Sequence, residues 1–259
     1  MDLGIKGKSA IVCASSRGLG RACAESLARE GVAVTINGRD AEVLEATAAA
    51  IRADSEVPVS LVVGDIEVET TRSALLEACP APDILINNNG GPSPGRFQDW
   101  DRDAWIAAMD SNMIAPTMMI RAVLDGMVER RFGRIVNITS AMVKTPLAPM
   151  GLSTGARAGL TSMSKALSRQ VAHANVTLNN LLPERIDTDR QRFMAETRAK
   201  LGGVTIEQAY DEMKRSIAAQ RLGRPEEVGD ACAFLCSAQA GFISGQNLQL
   251  DGGSYAGLL

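Results

Sequence analysis

Residues 9–20 read Ser9-Ala10-Ile11-Val12-Cys13-Ala14-Ser15-Ser16-Arg17-Gly18-Leu19-Gly20, an apolar, β-prone run that turns abruptly into a small, glycine-bearing loop. Residues 9–14 suit a buried strand. Residues 18–30 carry helical spacing, and Gly31 stops the helix. Gly18 and Gly20 permit a tight turn and close approach of the backbone to an anion. The helix that starts there aims free N–H groups and the positive end of its dipole at the same place. A glycine-rich turn carries this meaning only between a strand and a helix, which is its context here.

The same alternation continues outward. Strands are predicted at 32–37, 59–63, 83–86, 134–138, 176–182 and 247–250. Helical stretches are predicted at 41–52, 70–78, 102–131, 154–174, 191–216 and 225–237, the last with Pro225 in its first turn. Repeated strand–helix units with nearly all-apolar strands imply an α/β fold. The expected architecture is a Rossmann-type doubly wound parallel sheet of about seven strands with helices on both faces. Ligands of such sheets bind at the carboxyl ends of the strands, so the loops after strands one, four, five and six deserve inspection.

The chain has 259 residues, 46% of them hydrophobic, enough for one large core. No linker or repeat interrupts it, so 1–259 reads as one domain. The net charge of −3, with no Lys/Arg-rich run, argues against a nucleic-acid partner. The first residues lack the features of a secretory signal, and no apolar run approaches membrane-spanning length, so no membrane role is expected. The five cysteines, Cys13, Cys23, Cys79, Cys232 and Cys236, fit no disulfide framework. Cys232 and Cys236 read as buried thiols rather than ligands, and the expected setting is a reduced cytoplasm. The only histidine, His173, offers no basis for a metal site.

Strand two ends in Asn37-Gly38-Arg39. An acidic residue there would bind the ribose 2′-hydroxyl of NAD. Arg39, with Arg17 in the first loop, suits a 2′-phosphate instead, so NADP(H) is the expected cofactor.

These residues, with others further along, resemble the classical short-chain dehydrogenases/reductases, most closely the 3-oxoacyl-[acyl-carrier-protein] reductase-like group, over essentially the whole length. Ser15, Ser16, Arg17, Gly18, Leu19 and Gly20 are similar to that family's cofactor loop. Asp65 and Ile66 fall where the family contacts adenine. Asn87-Asn88-Asn89-Gly90 resembles its turn after strand four. Asn112 and Ser140 fall where it carries the catalytic asparagine and serine. Pro183, Ile186 and Thr188 match the loop that holds the nicotinamide amide. Gly223–Val228 and Ile243–Gln246, then Asp251-Gly252-Gly253, resemble its C-terminal signature. The resemblance also implies a mobile substrate lid at about 190–220 and a homotetramer. Of the two carrier-docking arginines it implies, one falls at Arg131 and the other at Ala174, which disfavours an acyl-carrier thioester.

The departures are informative. Cys13-Ala14 stands where the family has Thr-Gly; Ala14 would oppose a positive φ if the loop needs one. Asn89 replaces an alanine, and Glu184 replaces the glycine after Pro183, placing a carboxylate near the cofactor. The family's Tyr-x-x-x-Lys begins thirteen residues after its serine, and that count from Ser140 gives Ser153, with Arg157 four further on. A serine hydroxyl is a far weaker and shorter acid than a phenol. Arg157 keeps a permanent charge on the same helix face, suited to a carboxylate, ribose hydroxyls or an oxyanion.

Three readings follow. The protein is an NADP(H)-dependent carbonyl/alcohol oxidoreductase using Asn112, Ser140, Ser153 and Arg157, with Lys144 or Tyr210 as a stand-in acid. Alternatively the site runs proton abstraction or hydration around an oxyanion hole. Alternatively the fold is a catalytically silent cofactor binder. Met142, Leu147 and Met150 suggest an apolar substrate, with an acid group for Arg157. Arg157 pairing with Glu184 in an emptied site, and Ser153 as a mere helix-start residue, are the structural alternatives.

Overall fold

The computed structural model describes residues 1–258. Seven strands, β1 (Ser9–Val12), β2 (Ala33–Gly38), β3 (Val59–Val63), β4 (Ile84–Asn87), β5 (Gly133–Ile138), β6 (Val176–Pro183) and β7 (Asn247–Leu250), form one parallel sheet in the order β3-β2-β1-β4-β5-β6-β7. Strand order reverses between β1 and β4, which opens a crevice at their carboxyl ends.

Side-chain alternation along β1 divides the core. Ala10 and Val12 face one cluster, built with Cys23 and Leu27 of α1 (Gly18–Arg29), Leu44 and Ile51 of α2 (Ala41–Asp54), and Val228 and Cys232 of α9 (Pro225–Cys236). Ile11 and Cys13 face the other, with Leu75 of α3 (Glu69–Ala78), Met119 and Val123 of α5 (Ala115–Glu129), and Leu160 of α6 (Gly151–Val171). Helices therefore cover both faces, as the apolar strands require. Each fully buried Leu or Ile contributes roughly 1.5–3 kcal/mol of transfer free energy.

Three helical stretches differ from the sequence reading. The stretch 102–131 is broken into α4 (Arg102–Met109), a π-helical turn at Asp110–Ile114, and α5, which restarts with Pro116 in its first turn. The stretch 191–216 is two helices, α7 (Asp189–Gly202) and α8 (Ile206–Arg215). Gly203 at φ 63° ends the first, and a Thr205/Gln208 capping box starts the second. Helix α6 begins at Gly151 rather than 154. Its buried face carries Ser153, Arg157, Thr161, Ser164 and Ser168 among the apolar residues.

A row of amides, buried except at its Asn247 end, crosses the sheet behind the site. Asn87, Asn137, Asn180 and Asn247 are register partners on β4 to β7. Asn87 donates to Asn137 (2.8 Å), Asn137 to Asn180 (2.9 Å), and Asn180 to Asn247 (2.8 Å). Asn137 also donates to Ser164 Oγ of α6 at 2.9 Å, tying sheet to helix.

Candidate active site

The loop after β1 is shaped by its backbone. Ala14 sits at φ 44°, so the conformation that favours glycine is adopted by an alanine. Two long-range bonds hold it there: its N–H donates to Asn37 Oδ1 (3.2 Å), and Asn88 Nδ2 donates to its carbonyl (2.9 Å). Ser15 is buried and bonds Val12 O, which makes it a loop brace. A Cβ at Gly20 would lie 2.5 Å from Ala14 O, so only glycine lets α1 start this close to the loop. No side chain caps the first turn of α1, which leaves its N–H groups available to an anion.

One cleft of about 630 Å³ runs from this loop to the end of β5 and under α7. Of the sequence-predicted residues, Arg17, Gly18, Leu19, Arg39, Asn88, Gly90, Ser140, Ser153, Arg157, Ile186 and Thr188 line it. Thr188 lies against Gly18, joining the loop after β6 to the start of α1. Ser15, Ser16, Gly20, Asp65, Ile66 and Asn112 stand outside its lining. A Cβ at Gly38 would touch Ser16, so that glycine leaves room for the loop. Arg39 is 3.6 Å from Asp65, and Arg17 is 4.0 Å from Asp189; both guanidinium groups are mostly exposed to the cleft mouth. Asn112 and Ile66 line a separate small cavity beside Arg157. Asn112 Nδ2 donates to Gly90 O at 3.3 Å, while its buried Oδ1 has no partner among the described residues.

The far half of the cleft turns on Arg157. Its side chain is buried, and its Nη1 donates to Ile138 O (2.6 Å) and Thr139 O (3.1 Å). Its Nη2 donates to Asn89 O at 3.2 Å. Three of five guanidinium hydrogens are therefore committed to backbone carbonyls at the ends of β4 and β5. Burial, and secondarily the positive charge of Arg190, pull its pKa down to about 10. It remains a cation at neutral pH, held without a carboxylate: Glu184 pairs with Arg185 (3.6 Å), not with Arg157. The expectation that Arg157 stands ready for a substrate acid group needs revision, because most of its fork is occupied.

Ser153 is buried in the first turn of α6, and Met150 rather than Ser153 takes the cap position. A Cβ built on Gly91 would face both Ser153 Oγ (3.8 Å) and Arg157 Nη2 (3.6 Å), so these groups share one wall. Ser140 Oγ accepts from Met142 N, leaving its proton to donate. Met142, Leu147, Met150, Met194 and Met213 supply an apolar lining. Above them, Arg190 of α7 donates to Pro92 O at 2.7 Å, tying α7 to the loop after β4.

The two candidate stand-in acids lie elsewhere. Lys144 Nζ bonds Gln249 Oε1 (3.3 Å) and sits over the Tyr255 ring. Tyr210 lines a different pocket, with Asp187, Lys214 and Arg224. Glu184 lies in the cleft itself, half-buried, and burial raises its pKa, with Asp251 adding and Arg185 opposing. His173 bonds Gln170 O in the turn after α6, away from the cleft. All five cysteines are buried and free, and no group of three or more metal-ligating side chains occurs among the described residues. No described helix is long and apolar enough to cross a membrane.

A family model described as Enoyl-(Acyl carrier protein) reductase matches residues 13–255. The chain is 32% identical over 252 residues to the NADPH-dependent reductase BacG of Bacillus subtilis (strain 168), covering 95% of this chain and 97% of that protein. It is also 32% identical over 254 residues to the 3-oxoacyl-[acyl-carrier-protein] reductase FabG of Vibrio harveyi, covering 98% and 99%. Among solved structures it is similar to the L-sorbose reductase of Gluconobacter frateurii complexed with NADPH and L-sorbose, with a TM-score of 0.94, 27% identity and 100% of both chains covered.

Proposed function

Because this chain belongs to the short-chain dehydrogenase/reductase family, we propose that it is an NADP(H)-dependent oxidoreductase interconverting a carbonyl and an alcohol on a small, largely apolar substrate. The observation that carries this is the single cleft joining an uncapped helix start with two arginines to an apolar chamber containing Ser140, Ser153 and Arg157.

The residues fit the cofactor. In this reading the free N–H groups of α1 hold the pyrophosphate, and Arg17 and Arg39 hold the 2′-phosphate. Asp65 stands behind Arg39 at the adenine end and steadies it, Ile66 lies outside the cleft, and Ile186 and Thr188 hold the nicotinamide amide. When bound, NADPH supplies a hydride. The chain's own residues do the rest. Ser140 donates a hydrogen bond to the substrate oxygen. Ser153 and the uncommitted Nη2 hydrogen of Arg157 face the same chamber and stabilise negative charge there. Asn112 supports the Gly90 carbonyl at the chamber's edge. The methionine lining excludes water and adapts to substrate shape. Helices α7 and α8 act as the lid, clasped by Arg190 on Pro92 O.

The test is a calorimetric titration with NADPH and NADH, followed by NADPH oxidation with a panel of ketones and aldehydes. Preferred NADPH binding and turnover with apolar carbonyls are expected. Absence of binding, or preference for NADH, would refute the cofactor assignment; a flat trace with NADPH bound would refute the reductase. The reading extends to a homotetramer, whose interfaces would cover the exposed Phe242 and Leu248. A single-chain mass on sedimentation would refute that part.

A further inference from the structure

The family resemblance assigns the proton to a tyrosine that this chain lacks, and the structure removes Lys144 and Tyr210 from the cleft. Seven ionisable side chains line it: Arg17, Arg39, Arg157, Glu184, Arg185, Asp189 and Arg190. The arginines hold their protons at neutral pH. Asp189 is largely exposed at the mouth, beside Arg17. Only Glu184 is both sheltered and able to exchange a proton.

Resting on the reductase reading above, we infer that Glu184 is the general acid of this site, donating its carboxyl proton to the substrate carbonyl oxygen during reduction.

The backbone around Glu184 supports this placement. Its N–H donates to Leu250 O (3.0 Å), which extends the β6–β7 pairing by one residue. Arg185 follows at φ 53°, a strained conformation for a residue with a side chain. The Arg185 carbonyl accepts from Gly223 N (3.1 Å), and Ile186 bridges to Gly223. The strained turn is thus pinned from both sides, with Glu184 at its start, on the cleft that also holds Ser140, Ser153 and Arg157.

The charged groups acting on Glu184 are Arg185 from its own loop and Asp251 from the end of β7. Arg185 favours the carboxylate; Asp251 and, more strongly, burial favour the acid. The acid form therefore persists to higher pH than for an exposed glutamate, as a proton donor working near neutrality requires.

The step balances. The substrate carbon gains the hydride, and NADPH becomes NADP⁺. The carbonyl π pair moves to oxygen, which takes the Glu184 proton. The O–H electron pair stays on the carboxylate, which solvent reprotonates through the cleft mouth. In the reverse direction the carboxylate is the base.

The test pairs turnover with a titration that needs none. Glu184→Gln keeps size and removes the acid; kcat for carbonyl reduction should fall by about 10²-fold or more, while NADPH binding by calorimetry is retained. In the wild type, kcat should fall as pH rises through the Glu184 pKa, and the variant should lose that limb. Independently, the Glu184 carboxyl followed by carbon NMR in the cofactor-free protein should titrate above the ordinary glutamate value of about 4.3. If the variant does not fold, Glu184→Asp and this titration still decide. An active wild type matched by an equally active Gln variant overturns the Glu184 role alone, as does an ordinary titration. A wild type that binds NADPH but reduces no carbonyl overturns the reductase reading, and the Glu184 role with it.

Discussion

Replacing Arg157 with methionine tests whether this residue is a backbone clamp. Met keeps much of the stem volume and removes all three bonds to Ile138 O, Thr139 O and Asn89 O. Each intramolecular hydrogen bond contributes about 1 kcal/mol net, and more when one partner is charged, so three give about 3 kcal/mol. Two effects reduce this. The variant no longer buries a cation, which recovers desolvation free energy. Water from the cleft can also reach Asn89 O, whose bond is only partly buried, whereas the Ile138 and Thr139 bonds are buried. A net loss of about 2–3 kcal/mol remains. For a chain of this size, each kcal/mol moves the melting temperature by about 2–4 °C, so Arg157→Met should melt roughly 5–10 °C lower. Arg157→Lys, with one ammonium in place of a fork, should fall between the two proteins. Circular dichroism melts of the three proteins at one concentration provide the measurement. Wild-type melting for Arg157→Met would refute the clamp and return the guanidinium to substrate or cofactor.

Ala14→Gly should raise the melting temperature by about 2–4 °C, because relief of an alanine held at positive φ is worth about 1 kcal/mol; an unchanged or lower value would show that the loop is not strained there. Arg39→Ala should weaken NADPH roughly tenfold, as loss of one exposed charge-assisted contact predicts, and leave NADH nearly unaffected; equal losses for both would place Arg39 away from the 2′-phosphate. All five thiols are buried, and burial pushes the Cys13 thiol up to about 12. Since the thiolate is the reactive form, Ellman's reagent at pH 8 should label none in the native protein and five after denaturation; prompt native labelling of Cys13 would contradict its burial.

The strand–turn–helix at residues 9–20 and the apolar strands were legible because period and glycine placement are local signals. The break between α4 and α5 was not: residues 102–131 hold helical spacing throughout, and only Pro116 hinted that a new first turn begins there. The split after Gly203 did leave signs, namely the glycine pair 202–203 and the Thr205/Gln208 box, which a longer helical reading absorbed. The start of α6 left none, since Met150 caps it without a side-chain bond. In the site, Arg17, Arg39, Ser140, Ser153 and Arg157 were found by position along the chain. The partners of Arg157 were not, because backbone carbonyls 18, 19 and 68 residues away carry no sequence signature. Burial decided Glu184: its carboxylate was visible beside Pro183, but its shelter from solvent depends on the fold.

The asparagine row across β4 to β7 also constrains how this sequence can drift. Losing any one of Asn87, Asn137, Asn180 or Asn247 strands a neighbour's amide in the sheet, at about 1–3 kcal/mol, whereas replacing the whole row with apolar residues strands no amide. The four positions are therefore expected to be inherited as a block, with intermediates rare. Chimeras that join the first half of this chain to the second half of a relative lacking these asparagines should be destabilised, because the crossover divides the row between Asn87 and Asn137.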